Sequence, residues 1–324
     1  MKNYYKQMML YLAPWVLAAA LVGLGWWWAE AIAPGLIADA YAQRTWLALS
    51  RIIRDRTRPA EFYLQEWHER RKGLFCAALA VAAVCAAGGV NLALWLRKRR
   101  KEQGRLTRQQ FDRAILVFVL GSAGGLFFLL IYPLLAGQVY LYDDLGYLHL
   151  PLRNYYSRAL QQGQIPTWCP ELLCGFDAHG EGQGGFCHPV KLALYRLLPL
   201  RTAFNVDTVL AYPAAFAGMW FFLRRWRFGH GPAALGGMTY AFSAYLALRL
   251  NHTNVIQILA HVPWLLACID MAICSPSRRG RWVAGAAVAV LTASQLLLGH
   301  PPSVWYSGLA ELAYAAAIGW GQRS

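Results

Sequence analysis

The chain alternates between long apolar runs and short polar segments that are rich in Lys and Arg. An apolar run of about 20 residues can cross a hydrocarbon layer of about 30 Å as a helix. Such runs occur at about 8–28, 74–96, 114–137, 207–223, 232–250, 254–272, 282–299 and 302–320. The pattern predicts an all-α, polytopic transmembrane helical bundle with about eight spans.

Composition and charge narrow the class of protein. Hydrophobic residues make up 57% of the 324 residues and charged residues only 15%, whereas a soluble domain carries about 25% charged residues. The net charge of +15 comes mainly from short clusters between apolar runs, as the positive-inside rule requires. The charge therefore indicates topology, and we expect the lipid bilayer as a partner and no nucleic acid.

Three basic clusters, at 97–101, 224–227 and 278–281, predict the orientation. If all three are cytoplasmic, residues 138–206 form one large extracytoplasmic loop. This segment contains five basic and five acidic residues. Its lack of net positive charge agrees with an extracytoplasmic location. We expect a multi-pass protein of a bacterial cytoplasmic (inner) membrane.

Residues 1–113 are predicted as an N-terminal two-span region with a basic cytoplasmic linker. The segment 34–73 between its spans should lie outside, yet it is rich in Arg. Trp46, Leu49 and Ile53 recur there at helical spacing, so an amphipathic helix on the membrane surface and a solvated basic helix are both open. The first run is long for a signal peptide and favours an uncleaved anchor.

Two adjacent carboxylates, Asp143 and Asp144, open the predicted outer loop. A carboxylate at a membrane surface can accept a proton from a hydroxyl group or hold a divalent cation such as Mg²⁺ or Mn²⁺. The structural alternative is a solvated loop start, with Asp144 capping the following helix.

The predicted outer loop is rich in Gly, Pro and aromatic residues, which favours an ordered, turn-rich conformation. Its cysteines and histidines match no familiar zinc pattern. A disulfide between Cys169 and Cys174, or simple packing of these side chains, is the favoured interpretation.

Polar residues inside the spans point to a second feature. Asn254, Gln257 and His261 share one face of the sixth span. A similar stripe on the seventh span consists of Thr292, Gln295 and Gly299, with His300 just beyond. Both stripes should lie at the depth just below the two carboxylates. They predict either a polar cavity or hydrogen bonds that join the helices.

Arg249 and His252 lie at the predicted outer boundary. A cation there runs against the positive-inside rule. The planar guanidinium of Arg249 suits a phosphate group, and the alternative is a side chain that extends to lipid head groups.

The order of several motifs resembles the YfhO-like bacterial membrane proteins over about 114–310, within a predicted membrane core of 114–324. The matching residues are Asp144, His149-Leu150-Pro151, Gly163 to Pro170, Gly175, Gln183, Pro189, Asn251-His252, His261 to Trp264 and Leu298 to Pro301.

That family is similar to the C-type (GT-C) glycosyltransferases, which move a sugar from a polyprenyl-phosphate carrier to an acceptor on the outer face. The resemblance implies a cell-envelope acceptor, and it implies that Asp143 or Asp144 acts as a base or orients the acceptor and a metal ion. Residues expected around the substrate and its phosphate are Arg153, Trp168, Gln183, His188, Arg249, His252, Gln257, His261, Gln295 and His300.

Two other classes of function stay open: a transporter or flippase of a lipid-linked or small polar substrate, and a non-catalytic membrane assembly protein. YfhO-like proteins are usually much longer than this chain. A fragment, a divergent short form and half of a split system are all compatible with the sequence.

Overall fold

A computed structural model describes residues 2–35, 61, 65, 72–103, 107–141, 144–171, 174–178, 180 and 182–321. This part of the chain is almost entirely helical (81%), which confirms the all-α class. The predicted amphipathic segment around Trp46, Leu49 and Ile53 lies outside the described residues, and so does Asp143.

The chain divides into two compact units, Met1–Leu129 and Leu130–Ser324. The boundary falls inside a helix, whereas the division suggested by the sequence lies at residue 113. Each unit has its own packing.

The first unit contains α1 (Lys2–Ala31), α2 (Lys72–Gln103) and most of α3 (Arg108–Leu135). α1 and α2 pack closely along small residues, since Ala18, Ala83 and Ala87 form one buried cluster. Small side chains allow two membrane helices to approach each other without a hydrophobic driving force between them.

Six helical segments in the described residues are long and apolar enough to cross a membrane. They are Tyr11–Gly35, Ala78–Glu102, Arg108–Leu135, Leu200–Arg225, Thr253–Cys274 and Arg278–Leu297. The prediction of a multi-pass membrane protein is therefore confirmed, while the full count of about eight spans stays a prediction.

The predicted span 232–250 is divided in the structure. α8 (His230–Ala241) ends before Ser243, whose side chain caps the short helix α9 (Ala244–Leu248) by accepting a hydrogen bond from the Leu246 amide at 3.4 Å. A helix with the 12 residues of α8 rises only about 18 Å, well short of a hydrocarbon layer of about 30 Å.

The predicted last span corresponds to α12 (Pro301–Gly321), which has the length of a span but is not among the six apolar segments. Polar side chains lie along one side of it, and Ser303, Ser307 and Glu311 are all buried. Its crossing of the membrane stays a prediction.

The predicted large loop, 138–206, is partly helical. A π-helical turn (Leu145–His149) leads into α4 (Leu150–Gln161), and α5 (Pro189–Leu197) and α6 (Leu200–Val209) complete the segment. The part between α4 and α5 is irregular, apart from β1 (Trp168–Cys169) and β2 (Phe176–Asp177), which pair antiparallel.

The irregular part is ordered by a core beneath it. Tyr156 and Tyr195 are fully buried there, and the Tyr156 hydroxyl donates to the Phe186 carbonyl at 2.7 Å. Cys169 belongs to this core, Cys174 is exposed, and no disulfide joins the two. Of the two favoured interpretations, packing therefore holds for Cys169, and the disulfide is wrong.

α10 (Thr253–Cys274) is the central helix of the second unit. It packs against α7 (Ala211–Arg225), α11 (Arg278–Leu297) and α12. α10 begins beside His252 and carries Gln257 and His261 on its buried or partly buried side. This arrangement places the sequence-predicted polar face of α10 inside the helical packing.

Candidate functional site

The second unit contains a buried ionic cluster around Asp207 of α6. The Lys191 ammonium donates to both carboxylate oxygens at 2.8 Å, and the Tyr195 hydroxyl donates to one of them at 3.1 Å. The Gln257 amide nitrogen donates to the carboxylate at 2.8 Å and to the Asp207 carbonyl at 2.7 Å. Arg153 Nε lies 3.9 Å from the carboxylate. These five residues are called the Asp207 cluster.

Burial makes the charges in this cluster depend on one another. Lys191 is 1% exposed and Asp207 is 5% exposed, and isolated charges at such positions are strongly disfavoured. Burial lowers the pKa of Lys191 to about 8, although Asp207 opposes this shift. At neutral pH the ammonium group therefore remains charged and holds α5 to α6.

Arg153, which was predicted to bind substrate or phosphate, is enclosed by aromatic rings. Its guanidinium carbon lies 5.5 Å from the ring centre of Tyr156, 5.6 Å from that of Phe186 and 5.2 Å from that of Tyr195. One terminal nitrogen donates to the Gly184 carbonyl. Arg153 thus anchors the turn at Gly184 through charge-assisted and cation–π contacts.

Lys191 and Asp207 were not among the residues singled out from the sequence. Two signals could have identified them. Lys191 and Tyr195 are four residues apart on one face of α5, and Asp207 is an acid at the start of a long apolar run. An ionisable residue within an apolar span is a functional or structural signal by default, because it needs a partner there.

A cavity of about 350 Å³ lies directly beside the Asp207 cluster. His188, Gln257 and His261, all predicted from the sequence, line it together. The remainder of its wall is mostly apolar and includes Val190, Leu210, Ala211, Ala214, Ala260, Trp264, Leu291 and Leu298. Gln257 and His261 of the polar stripe of α10 therefore line a cavity and also join α10 to other helices, to Asp207 of α6 and to Ser294 of α11.

Ser294 of α11 links two histidines in the cavity wall. Its hydroxyl oxygen lies 2.8 Å from His188 Nε2 and 2.9 Å from His261 Nε2. The other ring nitrogen of His261 lies 2.7 Å from the Gln257 carbonyl oxygen. Burial, together with the nearby charge of Lys191, lowers the pKa of His188 to about 4. His188 is therefore neutral at physiological pH.

A second, more accessible group surrounds Asp144. Asp144 Oδ2 lies 3.6 Å from His252 Nε2, and the two side chains are 47% and 32% exposed. The other ring nitrogen of His252 contacts the Asn251 side-chain oxygen at 2.7 Å. Because an amide oxygen only accepts, that nitrogen carries a proton. The second ring nitrogen of His252, Nε2, therefore faces the Asp144 carboxylate at a distance longer than a hydrogen bond.

Two more predicted residues, Arg249 and His300, belong to this neighbourhood. Burial lowers the pKa of His300, and the charges of His252 and Arg249 lower it further. Arg249 is exposed, with its guanidinium 5.6 Å from the Tyr245 ring centre. Asp144, Arg249, His252 and His300 are called the Asp144 group. They combine an accessible carboxylate with cationic or titratable groups.

The pKa of His149 is affected by charged residues of both the Asp144 group and the Asp207 cluster. Burial lowers its pKa to about 4. The charges of Arg153, Lys191 and His252 act in the same direction, and Asp207 opposes them. A neutral imidazole at this position avoids adding a further buried positive charge.

The remaining predicted residues have separate positions. Trp168 is 56% exposed, and its carbonyl accepts a hydrogen bond from the Tyr155 hydroxyl at 2.7 Å. Gln183 is exposed, and its carbonyl accepts from Asn254 at 3.4 Å. Gln295 is buried and donates to the Ile258 carbonyl and to Ser307, both at 3.0 Å. Gln295 thus joins α11 to α10 and α12.

The predicted divalent-cation site was assigned to Asp143 and Asp144. Within the described residues, no group of three or more His, Cys, Asp and Glu side chains could hold a metal ion. Asp144 Oδ2 lies 3.6 Å from His252 Nε2, and Asp143, the other predicted ligand, lies outside the described residues. The divalent-cation site at Asp143 and Asp144 therefore stays a prediction.

Comparison with other proteins adds no family assignment. No protein-family model matches the chain, and no curated protein or solved structure matches it significantly.

Proposed function

We propose that this chain is a glycosyltransferase-like membrane protein that moves a sugar from a polyprenyl-phosphate carrier to a cell-envelope acceptor at the outer face of the cytoplasmic membrane. The observation that carries the proposal is the half-exposed Asp144 carboxylate, 3.6 Å from His252. The resemblance of the surrounding motifs to YfhO-like proteins is its second support.

The proposed reaction assigns a task to three members of the Asp144 group. Asp144 takes the proton of the acceptor hydroxyl, and the acceptor oxygen then forms a bond to C1 of the sugar. The bond between C1 and the phosphate oxygen breaks, and its electron pair leaves with the polyprenyl phosphate. Arg249 and protonated His252 stabilise the negative charge that develops on this leaving group.

The position of the Asp144 group in the chain supports the same assignment. α3 follows the basic cluster 97–101, and Asp144 comes just beyond the other end of that helix. The positive-inside rule puts the cluster in the cytoplasm and Asp144 on the opposite face. A lipid-phosphate donor presents its phosphate at this boundary while its chain stays in the bilayer.

The test uses membranes that contain the wild-type or variant protein and a labelled polyprenyl-phosphate sugar. Asp144→Asn should leave the amount of folded protein unchanged and reduce sugar transfer by at least about 100-fold, the usual contribution of a general base. The matched control is Glu171→Gln, because Glu171 is similarly exposed (51%) but pairs with Arg158.

Glu171→Gln should retain full transfer. Equal transfer by wild type and Asp144→Asn would refute the assignment of Asp144 as the base. Absence of transfer by the wild-type protein, with the donor and envelope extracts supplied, would refute the proposed activity and favour the transport or assembly alternatives.

A further inference from the structure

The first unit contains a cavity of about 690 Å³ whose wall is formed by α1, α2 and α3. α2 and α3 contact each other where the Phe118 ring lies against Gly88 and Gly89, since a Cβ added to these glycines would lie 3.5 and 3.4 Å from that ring. From Phe118 the wall extends along α3 to Gln110, about 12 Å along the helix axis. Arg113 also belongs to this wall, and the cavity is called the Arg113 cavity.

The Arg113 cavity lies at the positively charged ends of α2 and α3. Trp95 lines the cavity and comes two residues before the basic cluster 97–101, while α3 begins at Arg108. Residues 97–113 contain eight basic and two acidic side chains. The positive-inside rule puts these ends in the cytoplasm, and basic segments of this kind are attracted to the anionic lipids of the cytoplasmic leaflet.

The guanidinium group of Arg113 is available to an anionic ligand. Arg113 is exposed and lines the cavity, and its side chain has no hydrogen-bond or ion-pair partner among the described residues. Two neighbouring cations are engaged elsewhere. Lys98 lies 3.8 Å from Glu102, and the guanidinium carbon of Arg99 lies 5.6 Å from the ring centre of Trp95. Arg113 can therefore offer its planar pair of donors to phosphate oxygens.

Gln110 supplies a second donor in the same wall. Its side-chain oxygen accepts a hydrogen bond from the Thr107 amide at 3.2 Å, and the Thr107 hydroxyl accepts one from the Gln110 amide at 3.2 Å. This reciprocal contact holds the Gln110 side chain at the start of α3. Because the Thr107 amide only donates, it must meet the oxygen of the Gln110 side chain. The side-chain nitrogen is thus left to donate to another acceptor.

The rest of the wall is mostly apolar, and part of it is exposed. Trp15 and Val117 line the cavity and are 42% and 73% exposed. They belong to Tyr11–Gly35 and Arg108–Leu135, two of the six apolar segments that can cross a membrane. Exposed apolar side chains of such segments face lipid chains, so the cavity combines donors at one end with an apolar edge that is open to the bilayer.

We propose that the Arg113 cavity binds an anionic phospholipid of the cytoplasmic leaflet. The lipid phosphate accepts hydrogen bonds from Arg113 and Gln110, and an acyl chain lies along Val117 and Trp15. The basic cluster 97–101 favours a lipid with net negative charge over a zwitterionic one. A soluble phosphate would leave the apolar wall uncovered. The site is separate from the Asp144 group and does not depend on glycosyl transfer.

The test measures binding of dioleoylphosphatidylglycerol to the purified chain in detergent by native mass spectrometry. The comparison ligand is dioleoylphosphatidylcholine, which has the same acyl chains and phosphate but carries a compensating choline cation. The anionic lipid should bind at least about tenfold more tightly, because several cations surround the site. Glycerophosphoglycerol, the head group without acyl chains, should neither bind nor compete.

A charge variant tests the role of Arg113. Arg113→Gln removes the cation and keeps a side chain of similar shape, and it should weaken binding of dioleoylphosphatidylglycerol at least about tenfold, the usual effect of losing a charge-assisted hydrogen bond. The matched control Arg279→Gln removes the same charge at an exposed position of α11. It should bind the lipid as the wild type does.

A cavity-filling variant provides an independent arm. Ala114→Leu places a larger side chain in the cavity wall and leaves Arg113 intact, and it should also reduce binding at least about tenfold. The control Ala93→Leu adds the same volume at an exposed position of α2 and should bind the lipid as the wild type does.

Equal affinity for the two lipids, or no binding of either, would overturn the proposal. Undiminished binding by Arg113→Gln or by Ala114→Leu would overturn the location of the site. Competition by glycerophosphoglycerol would overturn the assignment to a lipid. The comparison of the two lipids uses the wild-type protein, so it does not depend on the folding of a variant.

Discussion

The Lys191 ammonium donates to both carboxylate oxygens of Asp207 at 2.8 Å, and neither side chain has more than 7% of its surface exposed. The two residues belong to consecutive helices, α5 and α6, and the pair joins these helices. The same carboxylate accepts a hydrogen bond from the side-chain amide of Gln257 in α10. A single acid therefore joins three helices beside the cavity.

Removal of one partner from this pair should destabilise the protein strongly. Lys191→Met leaves a buried carboxylate whose remaining cation is 3.9 Å away, and we expect a loss of about 3–5 kcal/mol in the free energy of unfolding. Combining it with Asp207→Leu should recover part of that loss. The measurement is a double-mutant cycle, in which the free energy of unfolding of each variant is determined by titration with a denaturing detergent.

The exposed pair of Arg158 and Glu171 is the control for that cycle, since both side chains are about half exposed (49% and 51%). Arg158→Gln should cost only about 0–1 kcal/mol. Similar losses for the buried and the exposed pair would contradict the central role of Asp207.

Gly299 should be intolerant of any side chain. Its φ of +80° is a left-handed conformation, and an added Cβ would lie 2.0 Å from the Gly182 carbonyl oxygen. Gly299→Ala should therefore destabilise the protein by more than about 2 kcal/mol and displace the turn that carries Gln183.

The control for Gly299→Ala is Gly285→Ala in α11, where an added Cβ meets no atom within 4 Å. That change should be neutral or stabilising by up to about 1 kcal/mol. The measurement is the midpoint temperature of thermal unfolding of both variants. Equal midpoints would be inconsistent with the contact between Gly299 and Gly182.

The helices could be predicted from the sequence wherever a long apolar run is bounded by polar residues. The run at 254–272 corresponds to α10 (Thr253–Cys274), and the run at 114–137 corresponds to α3 (Arg108–Leu135). The run at 232–250 looks continuous in hydropathy, but the capping contact of Ser243 divides it. Local hydrogen bonds of this kind leave no trace in a hydropathy pattern.

The candidate site was only partly predictable for a similar reason. Gln257 and His261 are four residues apart, so helical geometry alone puts them on one face, and both line the cavity. Lys191 and Asp207 are 16 residues apart and meet only because the chain turns between α5 and α6. Tertiary pairing across such a turn has no signature in the spacing of the residues.

Acid should destabilise the protein through His149 and His188. Burial lowers the pKa of each to about 4, against about 6.5 in an unfolded chain. Between these values the unfolded chain binds more protons than the folded one, so stability falls as the pH drops from about 6.5 to 4.

The loss should be roughly 1–3 kcal/mol per histidine across that interval. The measurement is the unfolding midpoint at several pH values for the wild type and for a variant with His149→Asn and His188→Asn. The variant should be less stable at neutral pH but vary less between pH 6.5 and 4. An unchanged pH dependence would show that other groups are responsible.

Arg249 should govern donor binding if the Asp144 group performs the proposed transfer. Its exposed guanidinium would be one of the contacts to the donor phosphate, and loss of a charge-assisted hydrogen bond costs about 1.5–3 kcal/mol. Arg249→Ala should therefore raise the KM for the labelled donor by about 10- to 100-fold, with a smaller change in kcat. Arg249→Lys should be intermediate, because an ammonium group keeps the charge but lacks the planar pair of donors. Arg196→Ala, at an exposed position of α5, should leave both constants unchanged, and an equal effect of the two alanine variants would indicate a general contribution of surface charge.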